Sequence, residues 1–328
     1  MTDFSMNDIT KTQALPDQPC SPEEVFAIDL PWPVKRFSKG GDHVPQVDSS
    51  FHFVSSVTRA ILAGFEHNRR VYLHGPHGSG KSSHIEQVAA RLNWPLVRVN
   101  LDGHITRADL LGRDMVVLRD DKQVTEFVPG ILVWALQRPV ALVFDEYDAG
   151  RPDVMFVIQR LLETEGSLTL VDQNRVITPN PAFRIFATAN TAGQGDSTGM
   201  YVGTQSLNQA QIDRWHLFVE LPYLAEEEEL KVLNRRFPKL DRDLARKMIR
   251  LAGFCRKAHA QGDLSSLMSL RTLITWVENF LLFNCPVQSF NYSFFNRCDE
   301  TEQPLVAELF QRCLDLELKL PVDGEQSF

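Results

Sequence analysis

The apolar and polar positions fall into three textures along the chain. Residues 1–47 are polar and broken by Pro16, Pro19, Pro22, Pro31, Pro33 and Pro45, which predicts an extended arm. One short helix is expected inside it, after Ser21-Pro22-Glu23-Glu24. Serine caps, proline suits the first helical position, and acids in the first turn favour the helix dipole. From about residue 49, Phe53, Val54, Val57, Ile61, Leu62 and Phe65 recur at helical spacing, and the pattern stops near Gly64–Asn68. Short apolar runs then alternate with amphipathic helices. The expected strands are Val71–Leu73, Leu96–Leu101, Val140–Phe144, Phe183–Ala189 and Trp215–Leu221. Between them Ile85, Val88, Ala89 and Leu92 line one helix face, and Val154, Val157, Ile158, Leu161 and Leu162 line another. Strand–helix alternation implies crossover units, hence an α/β fold with a mostly parallel sheet and helices on both faces. After Pro222 the strand signal ends, and helices are expected over about 225–236, 241–260, 270–284 and 302–317. The chain thus divides into an arm (1–47), an α/β core (48–222) and a helical domain (223–328).

Two stretches interrupt this plan. Met115–Phe127 reads as a hairpin turning at Asp120-Asp121, and Ser167–Thr178 as another turning at Gln173-Asn174, both with β-branched flanks around polar turn residues. Taken alone, they fit surface decoration and functional inserts equally well. The charge run Glu226–Glu229 is expected to be the solvated first turn of a helix.

Composition narrows the class. With 43% apolar and 23% charged residues, the 328-residue chain can bury a core, which excludes collagen-like, coiled-coil and largely disordered readings. The longest apolar run, Ile131–Leu136, is far short of the ~18 residues of a membrane span, and the opening MTDFSMNDIT lacks the pattern of an export signal. Five cysteines without a C-x-x-C pair point to reduced thiols and a cytoplasmic setting. A net charge of -8 weighs against a nucleic-acid partner. The nine histidines are scattered, and no His/Cys/Asp/Glu cluster has metal-ligand spacing.

The chemistry concentrates around one loop. Gly75-Pro76-His77-Gly78-Ser79-Gly80-Lys81-Ser82, continued by Ser83, fits G-x-x-x-x-G-K-S/T directly between an expected strand and an expected helix. Glycines let successive backbone N–H groups turn inward on phosphates, and the helix N-terminus adds positive potential. Lys81 is suited to the β/γ-phosphates and the Ser82 hydroxyl to one Mg²⁺ position, so the expected cofactors are ATP and Mg²⁺. The competing reading is a glycine turn with a surface lysine. No role is assigned to the imidazoles of His74 or His77. The strand Val140–Phe144 delivers Asp145 and Glu146 at its C-terminal end, where α/β sheets bind ligands. Asp145 would hold Mg²⁺ and Glu146 would polarise the attacking water. Asp148 reads as a helix cap or a loop acid. Asn190, after Phe183–Ala189, could orient the lytic water, although a lone Asn there is commonly a turn residue. Arg214, just before the last strand, would sit away from its own phosphate loop and has the logic of an arginine finger aimed at a neighbouring subunit, or of a surface ion pair. Arg271, opening a helix of the C-terminal domain, could reach back over the nucleotide.

In this order the phosphate loop, Asp145-Glu146, Asn190, Arg214 and Arg271, followed by a helical region, resemble the AAA+ ATPases. The two hairpins resemble the branch containing the magnesium-chelatase ATPase subunit and the MoxR-type ATPases. HNRRVYLHGPHGSGKSSHIEQVAARLNWPLVRVNLDGHITRADLLG, FDEYDAGRPDVMFVIQRLLE and SLRTLITWVENF are similar to the ATPase subunits of aerobic ATP-dependent cobaltochelatases, and the similarity runs from about residue 45 to about 315. The first 25 residues match nothing in that family, and residues 280–291 are more apolar and irregular than its pattern. The resemblance implies an AAA+ P-loop core, a parallel five-stranded sheet sandwiched by helices, with inserted β-hairpins and a C-terminal helical lid. It also implies a homo-oligomeric ring, a hexamer, working with an integrin-like second subunit and a large chelating subunit. Together these insert Co²⁺ into hydrogenobyrinic acid a,c-diamide in aerobic cobalamin biosynthesis, this chain being the motor and not the chelating site. The alternatives are a MoxR-like remodelling ATPase acting on another protein complex and, disfavoured by charge, a nucleic-acid motor.

Overall fold

The structure is a computed structural model that describes residues 15–119, 122–163, 166–195 and 203–318. In the arm, Gln18–Cys20 (β1) pairs antiparallel with Val34–Arg36 (β2) around the helix Pro22–Phe26 (α1). The Ser21 hydroxyl caps that helix by accepting from the Glu24 backbone N–H at 3.3 Å. The helix is the one expected from sequence; the two strands are not, because their few residues are interrupted by prolines. Cys20, Phe26, Ile28, Val34 and Phe37 are buried in a shared core with the following helices.

Next come Ser55–His67 (α2), Val71–His74 (β3), Lys81–Arg91 (α3), Leu96–Asn100 (β4) and Arg107–Leu111 (α4). The hairpin Gly112–Arg119 (β5) and Lys122–Pro129 (β6) leads into Ile131–Leu136 (α5), Ala141–Asp145 (β7) and Pro152–Leu161 (α6). A second hairpin, Leu168–Leu170 (β8) and Arg175–Ile177 (β9), precedes Arg184–Ala189 (β10), Gln209–Ile212 (α7) and Leu217–Glu220 (β11). The five expected strands form one parallel sheet in the order β11-β3-β10-β7-β4. Successive strand residues face opposite sides, so a sheet covered on both faces is apolar at every position. Tyr72, Leu142, Phe144, Ile185 and Ala187 pack on one face with α5 and α6. Val71, Leu73, Val143 and Phe186 pack on the other with α2 and α3.

The first hairpin runs in register from Gly112↔Pro129 to Arg119↔Lys122, longer than the sequence suggests, and its expected turn Asp120-Asp121 lies outside the described residues. The second turns where expected, with Asn174 at φ +45°. Each hairpin is a two-stranded sheet of its own.

The remaining helices are Glu226–Arg236 (α8), Arg242–Gln261 (α9), Leu270–Phe283 (α10), Pro286–Ser293 (α11) and Gln303–Leu314 (α12). Their core includes Leu233, Met248, Trp276, Phe290, Phe294 and Phe310. Helix α11 starts inside the irregular stretch 280–291, and the 3-10 turn Phe295–Arg297 follows it. The acidic run that opens α8 is only partly solvated. Glu229 is 1% exposed and accepts from Arg256 Nη1 at 2.7 Å, because the fourth residue of the run turns onto the buried face with Leu230 and Leu233. The chain separates into two compact units, one of residues 1–49, 53–75 and 81–221, the other of residues 50–52, 76–80 and 222–328. Among the described residues no helix is long and apolar enough to cross a membrane.

Candidate functional site

The loop after β3 is shaped by its glycines. Gly75 has φ +151°, and a Cβ there would meet the Leu221 carbonyl oxygen at 2.2 Å, so no other residue fits. Gly78 is left-handed at φ +71°, and a Cβ on it would lie 2.5 Å from the Ser269 Cβ. The Tyr223 hydroxyl donates to the His77 carbonyl at 2.7 Å. The Ser79 hydroxyl is buried without a hydrogen-bond partner, an orphan of the kind a ligand oxygen satisfies. Helix α3 begins at Lys81, earlier than the sequence suggests, which places Lys81, Ser82 and Ser83 in its first turn, where N–H groups lack intrahelical partners. Lys81 is 9% exposed and donates from Nζ to the Gly75 carbonyl at 2.8 Å and to Asn190 Oδ1 at 3.1 Å.

Asp145 ends the fully buried strand β7. Its Oδ1 accepts from the Ser82 hydroxyl and the Thr188 hydroxyl, each at 2.6 Å, and its Oδ2 accepts from Arg98 Nε at 2.5 Å. Arg98 also donates from Nη1 to Glu86 Oε1 at 3.0 Å. Burial works against the Arg98 charge, but the Asp145 and Glu86 carboxylates outweigh it and hold the guanidinium above its ordinary pKa. With its proton given to Asp145, the Ser82 oxygen keeps lone pairs free. A hydroxyl oxygen beside a carboxylate is a hard donor set that fits Mg²⁺.

Glu146 follows at φ +54° and ψ +43°, a left-handed residue that points to solvent while Asp145, Tyr147 and Asp148 are buried. Asp148 is neither a helix cap nor a loose loop acid. It is fully buried, and its Oδ2 accepts from the Asn190 N–H at 3.1 Å, the Thr191 N–H at 2.8 Å and the Thr191 hydroxyl at 2.8 Å. It therefore fixes the backbone that presents Asn190. Strand β10 runs between β3 and β7, so Asn190 emerges between the phosphate loop and the acids.

The sheet thus brings Gly75, Lys81, Ser82, Asp145 and Asn190 together. Arg214 lies elsewhere. Leu217 is level with Val71 and Glu220 with His74, so Arg214 precedes the N-terminal end of β11 while the phosphate loop follows the C-terminal end of β3. At about 3.3 Å per residue, that separation is at least ~13 Å along the strands. Arg214 donates from Nη1 to its own Ala210 carbonyl and lies 3.8 Å from Glu163 Oε1. Arg271 is exposed in the first turn of α10, in the second unit, two residues after the cap Ser269. Sequence reasoning passed over Arg98, Thr188 and the anchoring part of Asp148. A charge inside the apolar run Leu96–Leu101 was the available signal for Arg98.

Comparison with known proteins adds the following. The family model of the AAA domain, dynein-related subfamily, matches residues 70–207. The aerobic cobaltochelatase subunit CobS of Sinorhizobium sp. is 56% identical over 309 residues, 93% of this chain and 93% of that protein. Protein CbbQ of Hydrogenophilus thermoluteolus is 27% identical over 68% of this chain and 79% of its own length. Among solved structures, the Thermotoga maritima RuvB Holliday junction branch migration motor is similar at a TM-score of 0.46 and 13% identity, covering 78% of this chain and 67% of that one.

Proposed function

Because the chain belongs to the family of the aerobic cobaltochelatase subunit CobS, we propose that it is the ATP-hydrolysing motor subunit of a cobaltochelatase. Its work is to power insertion of Co²⁺, the cargo, into hydrogenobyrinic acid a,c-diamide in cobalamin biosynthesis. Partners are further copies of itself in a hexameric ring, an integrin-like second subunit and a large chelating subunit, in the cytoplasm. The observation that supports the motor role most directly is the convergence of Lys81, Ser82, Asp145 and Asn190 at the C-terminal ends of β3, β7 and β10.

In this reading the backbone N–H groups of Gly75–Ser83 cradle the phosphates. Lys81 exchanges the Gly75 carbonyl and the Asn190 amide for β- and γ-phosphate oxygens. Ser82 and Asp145 would hold Mg²⁺, which when bound would supply positive charge against the phosphate oxygens. Glu146 accepts the proton of the attacking water, Asn190 orients that water, and the bond from the γ-phosphorus to the bridging oxygen breaks to leave ADP and phosphate. Arg214 serves the γ-phosphate of the neighbouring protomer, and Arg271 serves the nucleotide from the helical part of the chain.

The deciding experiment mixes the purified chain with the integrin-like and chelating subunits, the corrin substrate, Co²⁺ and ATP. Partner-stimulated phosphate release together with the spectral change of corrin metallation is expected. Turnover that ignores these partners and responds to another protein complex or to DNA would overturn the assignment.

A further inference from the structure

Arg98 is a cation in a strand of otherwise apolar and amide side chains, LVRVN. Strand β4 lies beside β7 with Arg98 level with Val143 and Asn100 level with Asp145. From there the guanidinium reaches Asp145 Oδ2 at 2.5 Å and Glu86 Oε1 at 3.0 Å. The other Asp145 oxygen already accepts two hydroxyl protons, from Ser82 and Thr188. The protein alone therefore satisfies the carboxylate assigned to Mg²⁺, and one of its partners is itself a positive charge. A divalent ion arriving there meets a cation already holding the charge it would use, and like charges a few ångströms apart repel.

Arg98 also has somewhere to go. Its side chain is 44% exposed and lines a cleft of about 870 Å³ with Asp102, Ile105, Met115 and Trp134, and Glu86 is already in hand as a second carboxylate. We infer that Arg98 is a displaceable counter-cation of the Mg²⁺ site. It neutralises Asp145 before the nucleotide arrives and withdraws to Glu86 when Mg²⁺ and nucleotide enter, so metal binding competes with an internal ion pair. The inference rests on the assignment of Ser82 and Asp145 to Mg²⁺ made above.

The competition gives two variants opposite signs. Binding of a fluorescent ADP analogue to the full-length chain is titrated with Mg²⁺, with no turnover required. Arg98→Gln removes the competitor, and half-saturating Mg²⁺ should fall about fivefold, a figure discounted for solvent exposure of the pair. Glu86→Gln removes the refuge, ties Arg98 to Asp145 and should raise half-saturating Mg²⁺ about twofold. Thermal melts of both variants verify folding. An unchanged or higher Mg²⁺ requirement in Arg98→Gln overturns the inference, as does a shift of both variants in the same direction. Ser82→Ala separates the two levels. If it responds to Mg²⁺ as wild type does, the metal-site assignment itself falls; if it alone loses the response, only the role of Arg98 is wrong.

Discussion

Glu146 combines a local cost with the chemical role proposed for it. Its left-handed backbone costs a non-glycine residue roughly 1–2 kcal/mol, yet the bend exposes Glu146 between the buried Asp145 and Tyr147. Strain of this kind persists where the surroundings hold it, here by the Asp145 and Asp148 hydrogen bonds on either side. Glu146→Gln keeps the shape and removes the proposed base, so it should bind ATP as wild type does and hydrolyse it at least about a hundredfold more slowly, measured by phosphate release. Glu146→Gly should lose turnover equally but unfold at no lower temperature, since glycine accepts positive φ without strain. Buried thiols give a second residue-level test. Burial, with Cys298 and Cys313 nearby, pushes the Cys255 thiol up to about 12, and burial likewise pushes Cys298 up to about 11. At pH 8 a thiol of pKa 12 is only about one part in ten thousand thiolate, so neither should react with iodoacetamide in the folded chain. Half-buried Cys285 should be the fast-labelling site, located by peptide mass mapping. Gly75–Ser82 and Asp145-Glu146 are legible in sequence because each is contiguous and its residue types match those that the proposed phosphate, metal and water chemistry requires. Arg98, Thr188 and Asp148 are not, because their contacts span 47, 43 and 42 positions and exist only once the strand order is known.

At the scale of elements, α8 and α9 are joined by an ion pair that the acidic run disguised. Glu229 is 1% exposed, Arg256 donates to it at 2.7 Å, and Arg256 also donates from Nε to the Met268 carbonyl at 2.8 Å. Removing one partner of a buried pair leaves an uncompensated charge, so Arg256→Met should cost about 3–5 kcal/mol in chemical unfolding, part of it recovered by adding Glu229→Gln. The pH dependence has a definite sign. Desolvation raises the Glu229 carboxyl above the usual carboxylate range, and loss of the nearby Arg256 charge raises it further. A folded-state pKa above the unfolded one means protonation favours the fold, so stability lost at neutral pH returns as pH falls through the folded-state value. The gap between Arg256→Met and wild type should therefore narrow toward acid, followed by unfolding curves from pH 7 to pH 5. The parallel strands and the longer helices were readable because burial on both sheet faces, or on one helix stripe, leaves a period in the sequence. Strands β1 and β2 left none, being three residues each among prolines. Helix α11 starts at Pro286, just after a left-handed Asn284, and exposed Leu281, Leu282, Phe283 and Tyr292 blur the apolar stripe around it.

For the molecule as a whole, the proposed reaction draws on two groups that one chain holds at opposite ends of its sheet. Lys81 and Ser82 follow the C-terminal end of β3, and Arg214 precedes the N-terminal end of β11 beside it. The ~13 Å or more between those ends is beyond the reach of one side chain, so in the proposed role Arg214 acts on the phosphate loop of another copy. In the proposed ring, a head-to-tail contact repeated around the closed assembly would supply one such arginine to each loop. Lys81→Ala spoils the receiving side of a protomer and Arg214→Ala the donating side, and each alone should abolish turnover in a pure assembly. Mixed in equal amounts before assembly, the two make about a quarter of the junctions intact, an Arg214→Ala loop facing a Lys81→Ala arginine, if arginine is donated in trans and mixing is random. Phosphate release from the mixture should rise to about a quarter of the wild-type rate per junction, although both parents are inactive. Arginine acting within its own chain gives no recovery at any ratio, since every protomer then carries one broken half. The yield as a function of mixing ratio, with its maximum at equal parts, therefore distinguishes a shared site from a self-contained one without an image of the assembly.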